Sequence, residues 1–222
     1  MQLDEIYRAS RTRLTALAAE LTPAEAATVV PACPDWTVAD VYRHLTGLVA
    51  DVLDGNLGDR GSPAWTAAQV ARRADQTLEQ ICAEWDTRAP DFEALYATTG
   101  MANVRSCIDI NAHEKDILGA LGRRGDRDDA ALDSLVQILI GMLNGLTDFP
   151  AVTRIEVGEQ VLTLGAGDPE LTLRTDPYEF VRIILGRRSA AQLAAADWSG
   201  PDPQRVFSAL SRFPLPTTDI VD

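Results

Sequence analysis

No stretch of this chain approaches the roughly 18–20 consecutive apolar residues that a bilayer-spanning helix needs, so no membrane span is expected. The opening residues, MQLDEIYRAS, lack the charged-then-apolar pattern of a secretory leader, which makes a cytoplasmic chain the expectation. Cysteine is scarce. Cys33, Cys82 and Cys107 form an odd set with no CxxC pair, excluding a disulfide frame or a sulfur-ligated zinc site as the organising device. Cys82 and Cys107 fall in apolar helical patterns and read as small core residues, whereas Cys33 lies in a loop. Basic residues are outnumbered, 20 Lys and Arg against 33 Asp and Glu, and the net charge of −13 repels phosphate backbones and anionic lipid. Neither nucleic acid nor a membrane surface is therefore expected as a partner. The GxGxxG, GxxxxGK[ST] and GxSxG signatures of dinucleotide, phosphate-loop and serine-elbow chemistry are also missing. Histidine occurs only twice, so the position of each copy carries weight.

What is present is a helical pattern through the first two thirds of the chain. Leu3, Ile6, Tyr7, Leu14, Leu17 and Leu21 recur at helical spacing. Thr22-Pro23-Ala24-Glu25 has the form of a capping box with Pro at the first helical position. Val30 to Trp36 contains Pro31 and Pro34 and reads as a loop. Thr37, with Asp40 three residues on, opens a helix with an apolar stripe of Val38, Val41, Leu45, Leu48 and Val52, which stops at Asp54-Gly55. Ser62-Pro63 caps another, with Val70, Leu78, Ile81 and Trp85 inward, and Pro90 starts a shorter piece. Met101 to about Leu121 is a further long helix, and Asp128-Asp129 opens the last. Four main helices with short connections predict an antiparallel bundle over residues 1–149. After Phe149-Pro150 the period changes. Thr153–Val157 and Gln160–Leu164 alternate about Gly158-Glu159 as a hairpin, and Glu170–Arg174 reads as a third strand. Asp176-Pro177, Ser189 and Asp202-Pro203 start three short helices, so residues 150–222 are expected to form a small α+β domain.

His44 lies on the inward side of its helix, between Val41 and Leu48. His113 follows Asp109 by four residues, which stacks imidazole and carboxylate on one face about one turn apart. A carboxylate–His pair with one His from a facing helix supplies three ligands, the usual count for an open zinc site and also the composition of the facial triad of non-haem iron. Asp116, three residues beyond His113, is placed to orient that imidazole, or else to face solvent. Glu114 lies about 100° round the helix from His113 and does not substitute for Asp109. Trp36 is a candidate wall of the site or a core anchor of its loop. Arg187, Arg188 and Arg212 are the candidate cationic contacts for an anionic substrate or thiol, and Arg187 and Arg188 also suit a helix end.

The segment Cys33-Pro34-Asp35-Trp36-Thr37-Val38-Ala39-Asp40-Val41-Tyr42-Arg43-His44-Leu45 resembles the CPxWTVxDVxxHL segment of the mycothiol-dependent maleylpyruvate isomerase family, within the wider DinB-like helical superfamily. Asp109, His113 and Asp116 resemble that family's second metal motif. Leu185-Gly186-Arg187-Arg188-Ser189 and Asp197-Trp198-Ser199-Gly200 resemble parts of its C-terminal domain. The resemblance implies a mostly α, multidomain protein: a DinB-like four-helix bundle plus a small α+β domain. It implies a divalent metal, zinc first and Ni2+ or Fe2+ after it, on His44, Asp109 and His113. It further implies mycothiol as a low-molecular-weight thiol co-substrate, activated by the metal, a C-terminal arginine as a contact, and isomerase or S-transferase chemistry on a small electrophilic molecule. The family's carboxylate ligand is usually Glu; Asp109 is shorter by one methylene. A monomer or weak homodimer is expected. Two other readings stay open: a metal hydrolase on the same scaffold, where the ion activates water, and a non-catalytic, vestigial or stress-related metal-binding protein.

Overall fold

The computed structural model of the protein describes residues 1–99 and 104–222, without the side chains of residues 97 and 99. It is mostly helical with small sheets, and divides into two compact units, residues 1–125 with Asp222, and residues 126–221. No helix among the described residues is long and apolar enough to cross a membrane.

The first unit starts with α1 (Leu3–Ala18), which buries Ile6, Tyr7, Ser10 and Leu14 on one face. The expected capping box is present: Thr22 and Glu25 exchange hydrogen bonds at the start of α2 (Pro23–Ala26). The segment read as a loop is instead a small antiparallel hairpin, β1 (Val29–Val30) with β2 (Cys33–Thr37). Two prolines do not prevent it, because Pro31 sits in the turn and exposed Pro34 sits in a strand of a two-stranded sheet, where a missing N–H need cost no ladder bond. Thr37 ends β2 and caps α3 (Val38–Leu53), with Thr37 N–H donating to Asp40 Oδ2 at 2.9 Å and Asp40 N–H to Thr37 Oγ1 at 3.2 Å.

Beyond α3, α4 (Pro63–Ala71) begins at the Ser62 cap as expected, but it ends before Leu78, where α5 (Leu78–Thr99) starts. Val70 and Leu78 are thus on separate helices. Pro90 does not start a new piece; it lies inside a continuous α5. The inward stripe Trp85, Ala89, Phe92 and Tyr96 runs unbroken past it, and Pro90 and Asp86 are exposed, so the carbonyl that loses its helical partner faces water. The final helix of this unit is α6 (Val104–Ala120); the expected start at Met101 lies outside the described residues. In this unit α1 packs against α5 and α6, α3 against α4, α5 and α6, and β1 against α6.

The second unit holds α7 (Ala131–Leu143), β3 (Thr153–Val157), β4 (Gln160–Leu164), β5 (Leu171–Thr175), α8 (Pro177–Ile184), α9 (Ala190–Ala194), β6 (Asp197–Ser199) and α10 (Phe207–Leu210), the last preceded by a 3-10 turn at Pro203–Val206. The sequence reading counts α7 with the bundle and sets the boundary near 149. By its packing α7 lies on α8, and the compact units divide at Gly125/Asp126. An amphipathic stripe such as Leu132, Leu135, Val136, Leu139 and Leu143 specifies that a face is buried but not which partner buries it. The sheet order is β4-β3-β5-β6, with β3 parallel to β5 and the other pairs antiparallel. The predicted hairpin has the observed register, Thr153 opposite Leu164 and Val157 opposite Gln160. β6 was not anticipated; three residues, Asp-Trp-Ser, are too few to show a period of two. It is held in place by Trp198, whose Nε1–H donates to Leu193 O at 2.8 Å, and by Gly200, where a Cβ would stand 2.2 Å from Glu170 O.

Candidate metal centre

The centre is built wholly within the first unit. The capping box fixes where α3 begins, and seven residues later His44 sits on a helix buried nearly all round, itself 4% exposed. α6 is similarly enclosed from Ser106 to Ile117 except at Asp109, whose side chain is 33% exposed. Asp109 and His113 share a face as their spacing requires. Asp109 Oδ2 lies 3.1 Å from His44 Nε2, and its Oδ1 lies 3.5 Å from His113 Nε2. One carboxylate thus meets both imidazoles, and the ligand atoms of His44, Asp109 and His113 all lie within 4.8 Å of one another. Although Asp is shorter than Glu, Asp109 reaches both rings.

Other residues turn the rings. Asp116, fully buried, brings Oδ2 to 3.2 Å from His113 Nδ1, leaving Nε2 toward Asp109. His44 Nδ1 lies 2.8 Å from Gln69 Oε1, and Gln69 Nε2 donates to Asp51 Oδ2 at 2.8 Å. The sequence reading passed over Gln69 and Asp51, because a polar residue on an amphipathic helix carries no visible sign that it faces inward. The sign available was Gly47 on α3: a Cβ there would come within 2.5 Å of Gln69 Cβ, so the small residue admits α4 at close range. Trp36, half-buried on β2, has its ring 5.0 Å from His44 and 6.2 Å from His113, centroid to centroid, and walls the centre. Glu114 is turned away and paired on α1, accepting from Arg13 Nε and, at 2.8 Å, from Arg13 Nη2.

The electrostatics favour a cation here. Burial disfavours the charged form of His113, but Asp109, then Asp116 and Cys33, outweigh it and push the imidazole up to about 10. The surroundings are thus arranged to hold positive charge between two carboxylates. The donor set, two imidazoles and a carboxylate, suits zinc and leaves a coordination position for an exogenous ligand. Cys33 belongs to the neighbourhood as well, since its sulfur and donor atoms of His113 and Asp116 lie within 4.8 Å of one another.

Cys82 and Cys107 differ in a measurable way. Burial pushes Cys82 up to about 11 and Cys107 up to about 12, so both are overwhelmingly neutral thiols at pH 7.5. Iodoacetamide at pH 7.5 is expected to leave Cys82 and Cys107 largely unmodified, with Cys82 gaining label as pH rises toward 11 and Cys107, fully buried, gaining it on unfolding; peptide mass spectrometry reads both.

The tail arginines lie in the second unit and make several local contacts there. Arg188 donates to Glu179 through Nε at 2.6 Å and Nη2 at 3.0 Å. Arg187 Nη1 donates to Leu185 O at 2.6 Å, and its guanidinium stands 5.6 Å from the Phe213 ring centroid. The backbone N–H of Arg212 donates to Ile184 O at 2.8 Å. In the first unit, Arg60, also unremarked in the sequence, reaches Ser106 Oγ at 3.4 Å, one helical turn before Asp109.

Comparison with known proteins bears on the same elements. The family described as Mycothiol maleylpyruvate isomerase N-terminal domain matches residues 7–106. A search of curated proteins found no match. Among solved structures, the mycothiol-dependent maleylpyruvate isomerase superposes with a TM-score of 0.55 at 11% identity, covering 84% of this chain and 90% of that one. A histidine-to-alanine mutant of the mycothiol-dependent maleylpyruvate isomerase gives a TM-score of 0.56 at 13% identity over the same shares. At such identity the likeness establishes the fold. Residues 7–106 thus match the model of the mycothiol maleylpyruvate isomerase N-terminal domain, on a chain whose fold is similar to that of the solved mycothiol-dependent maleylpyruvate isomerase.

Proposed function

We propose that the chain is a zinc-dependent enzyme that uses mycothiol or a similar low-molecular-weight thiol to isomerise, or transfer the thiol to, a small electrophilic substrate. The observation that carries this reading is the convergence of two buried imidazoles on one carboxylate, within a fold shared with the mycothiol-dependent maleylpyruvate isomerase. His44, Asp109 and His113 would hold the ion. A zinc ion there supplies a Lewis acid that lowers the pKa of a thiol at its open position. α1, α3, α5 and α6, each in contact with two of the other three, are read as the four-helix bundle that carries the ligands.

The chain's own residues perform the remaining tasks. Asp116 Oδ2, 3.2 Å from His113 Nδ1, would favour a proton on that nitrogen and so leave Nε2 for the ion. Trp36 covers the two imidazoles and excludes water on that side. Arg60, bonded one turn before Asp109, is a first-unit candidate to meet a substrate carboxylate, and Arg187, Arg188 and Arg212 stay candidates only as the resemblance implies. A single pair of measurements tests the reading: metal content by elemental analysis, and turnover of maleylpyruvate with and without thiol. About one zinc per chain and strictly thiol-dependent turnover are expected. Turnover without thiol would favour a metal hydrolase, and absence of metal would remove the proposal altogether.

A further inference from the structure

We infer that Gln69 is a positioning residue for the metal centre, the middle link of a relay running Arg72–Asp51–Gln69–His44. The inference rests on the metal reading above and concerns how one ligand is presented.

Arg72 Nη2 donates to both oxygens of Asp51, at 2.6 and 2.7 Å, and Asn56 Nδ2 donates to Oδ1 at 2.9 Å. A carboxylate so held only accepts, so the group facing its Oδ2 must be a donor. That group is the Gln69 amide nitrogen, at 2.8 Å, which fixes the amide with its oxygen toward His44. Gln69 Oε1 lies 2.8 Å from His44 Nδ1, and an amide oxygen can only accept, so Nδ1 carries the proton there. His44 Nε2 is then the ring atom with a free lone pair for a cation, and it is the atom 3.1 Å from Asp109.

The arrangement is buried and sterically fixed. Gln69 is 0% exposed and Asp51 is 5% exposed. A Cβ at Gly47 would lie 2.5 Å from Gln69 Cβ and 2.9 Å from Gln69 Cγ, so α3 carries no side chain where α4 delivers the amide. A fully buried amide with its nitrogen and its oxygen both engaged has one orientation, and this transmits the polarity of Asp51 to the imidazole. A hydrogen-bonded partner of this kind raises ligand basicity and fixes ring orientation, and losing one typically costs about 10–100-fold in metal affinity.

The test is zinc affinity, measured by competition with a chromophoric chelator on the purified full chain. Gln69→Leu is expected to weaken binding about 10–100-fold. The pair Gln69→Glu with Asp51→Asn reverses the polarity of the inner bond while keeping an acceptor at His44 Nδ1 and one oxygen at residue 51 to accept from both Arg72 and Asn56, at the loss of the second Arg72 bond. That double variant is expected to bind within about threefold of the parent, better than either single change, which is the non-additivity of coupled neighbours. A purely structural role for Gln69 would show the loss and the rescue in metal-free stability as well, whereas a positioning role shows them in zinc affinity at similar stability. Urea unfolding of each metal-free variant reports folding separately. Stoichiometric zinc in the parent with Gln69→Leu unchanged within about twofold, or no rescue in a folded double variant, would overturn the inference and leave the metal reading standing. Absence of zinc binding in the parent overturns both.

Discussion

Asp109→Ala is expected to strip the protein of its metal: zinc content should fall from about one per chain to below about a tenth after dialysis, with affinity reduced more than about 100-fold. The magnitude follows from comparison. Loss of an outer hydrogen-bonding partner costs about 10–100-fold, and removal of a ligand must exceed that. Asp109 is the informative position for a physical reason. Its side chain is 33% exposed, so truncation leaves no large buried cavity. His113→Ala is expected to lose metal as completely, but it also takes from the fully buried Asp116 the imidazole that stands 3.2 Å away, a penalty that lowers stability in the same experiment. Two variants refine the result. Asp109→Glu restores the ligand usual among proteins that this motif resembles and should bind zinc within about tenfold of the parent. Asp109→Asn keeps an oxygen but removes the charge that both imidazoles face, and should bind far more weakly. Zinc retained stoichiometrically by Asp109→Ala would place the ion elsewhere, with the neighbouring set of Cys33, His113 and Asp116 the first alternative.

The grouping of Asp109 with His113 was legible because helical geometry is local. An i, i+4 spacing places Asp109 under His113 regardless of tertiary context, and the structure draws His44 to the same carboxylate. Capping chemistry was equally legible: Thr37 with Asp40 and Thr22 with Glu25 appear as their spacing requires, since both partners lie within one turn. The misses share a different character. Gln69 became visible only when α4 was seen against Gly47, a contact across 22 residues that no periodicity encodes. The hairpin of β1 and β2 was hidden by prolines that a two-stranded sheet tolerates. Continuity of α5 through Pro90 depended on the far stripe of Trp85, Ala89 and Phe92 finding partners on α1 and α3, which is tertiary information. The Leu185–Ser189 and Asp197–Gly200 segments read as family motifs, and the contacts they show hold the second unit together: Arg188 on Glu179, and Trp198 on Leu193.

Trp85→Ala is the substitution expected to cost most in folding, about 3–5 kcal/mol in urea or thermal unfolding, against a total stability of about 5–15 kcal/mol for an ordinary domain. Trp85 is completely buried, and its Nε1–H donates to Tyr7 Oη at 2.9 Å. Tyr7 packs on Phe92 at 4.9 Å between ring centroids, and Tyr42 meets Trp85 edge-on at 6.5 Å. Removing the indole therefore leaves a cavity between α1, α3 and α5 and takes a donor from a buried hydroxyl. Trp85→Phe separates the two effects: it keeps most of the ring volume and should cost about 1–2 kcal/mol for the lost bond. The cavity also touches function, because Tyr42 is two residues before His44 on α3 and donates to Leu14 O at 2.8 Å, tying that helix to α1. If the zinc site forms only in the folded state, saturating zinc must oppose the damage. At a free concentration about 100 times the dissociation constant, it should return about 2.7 kcal/mol to Trp85→Ala. The same zinc should leave the unfolding of a Trp85→Ala and Asp109→Ala double variant unchanged. Recovery in the single variant without recovery in the double one would link the aromatic core of α5 to the centre on α3 and α6 through a single folding equilibrium.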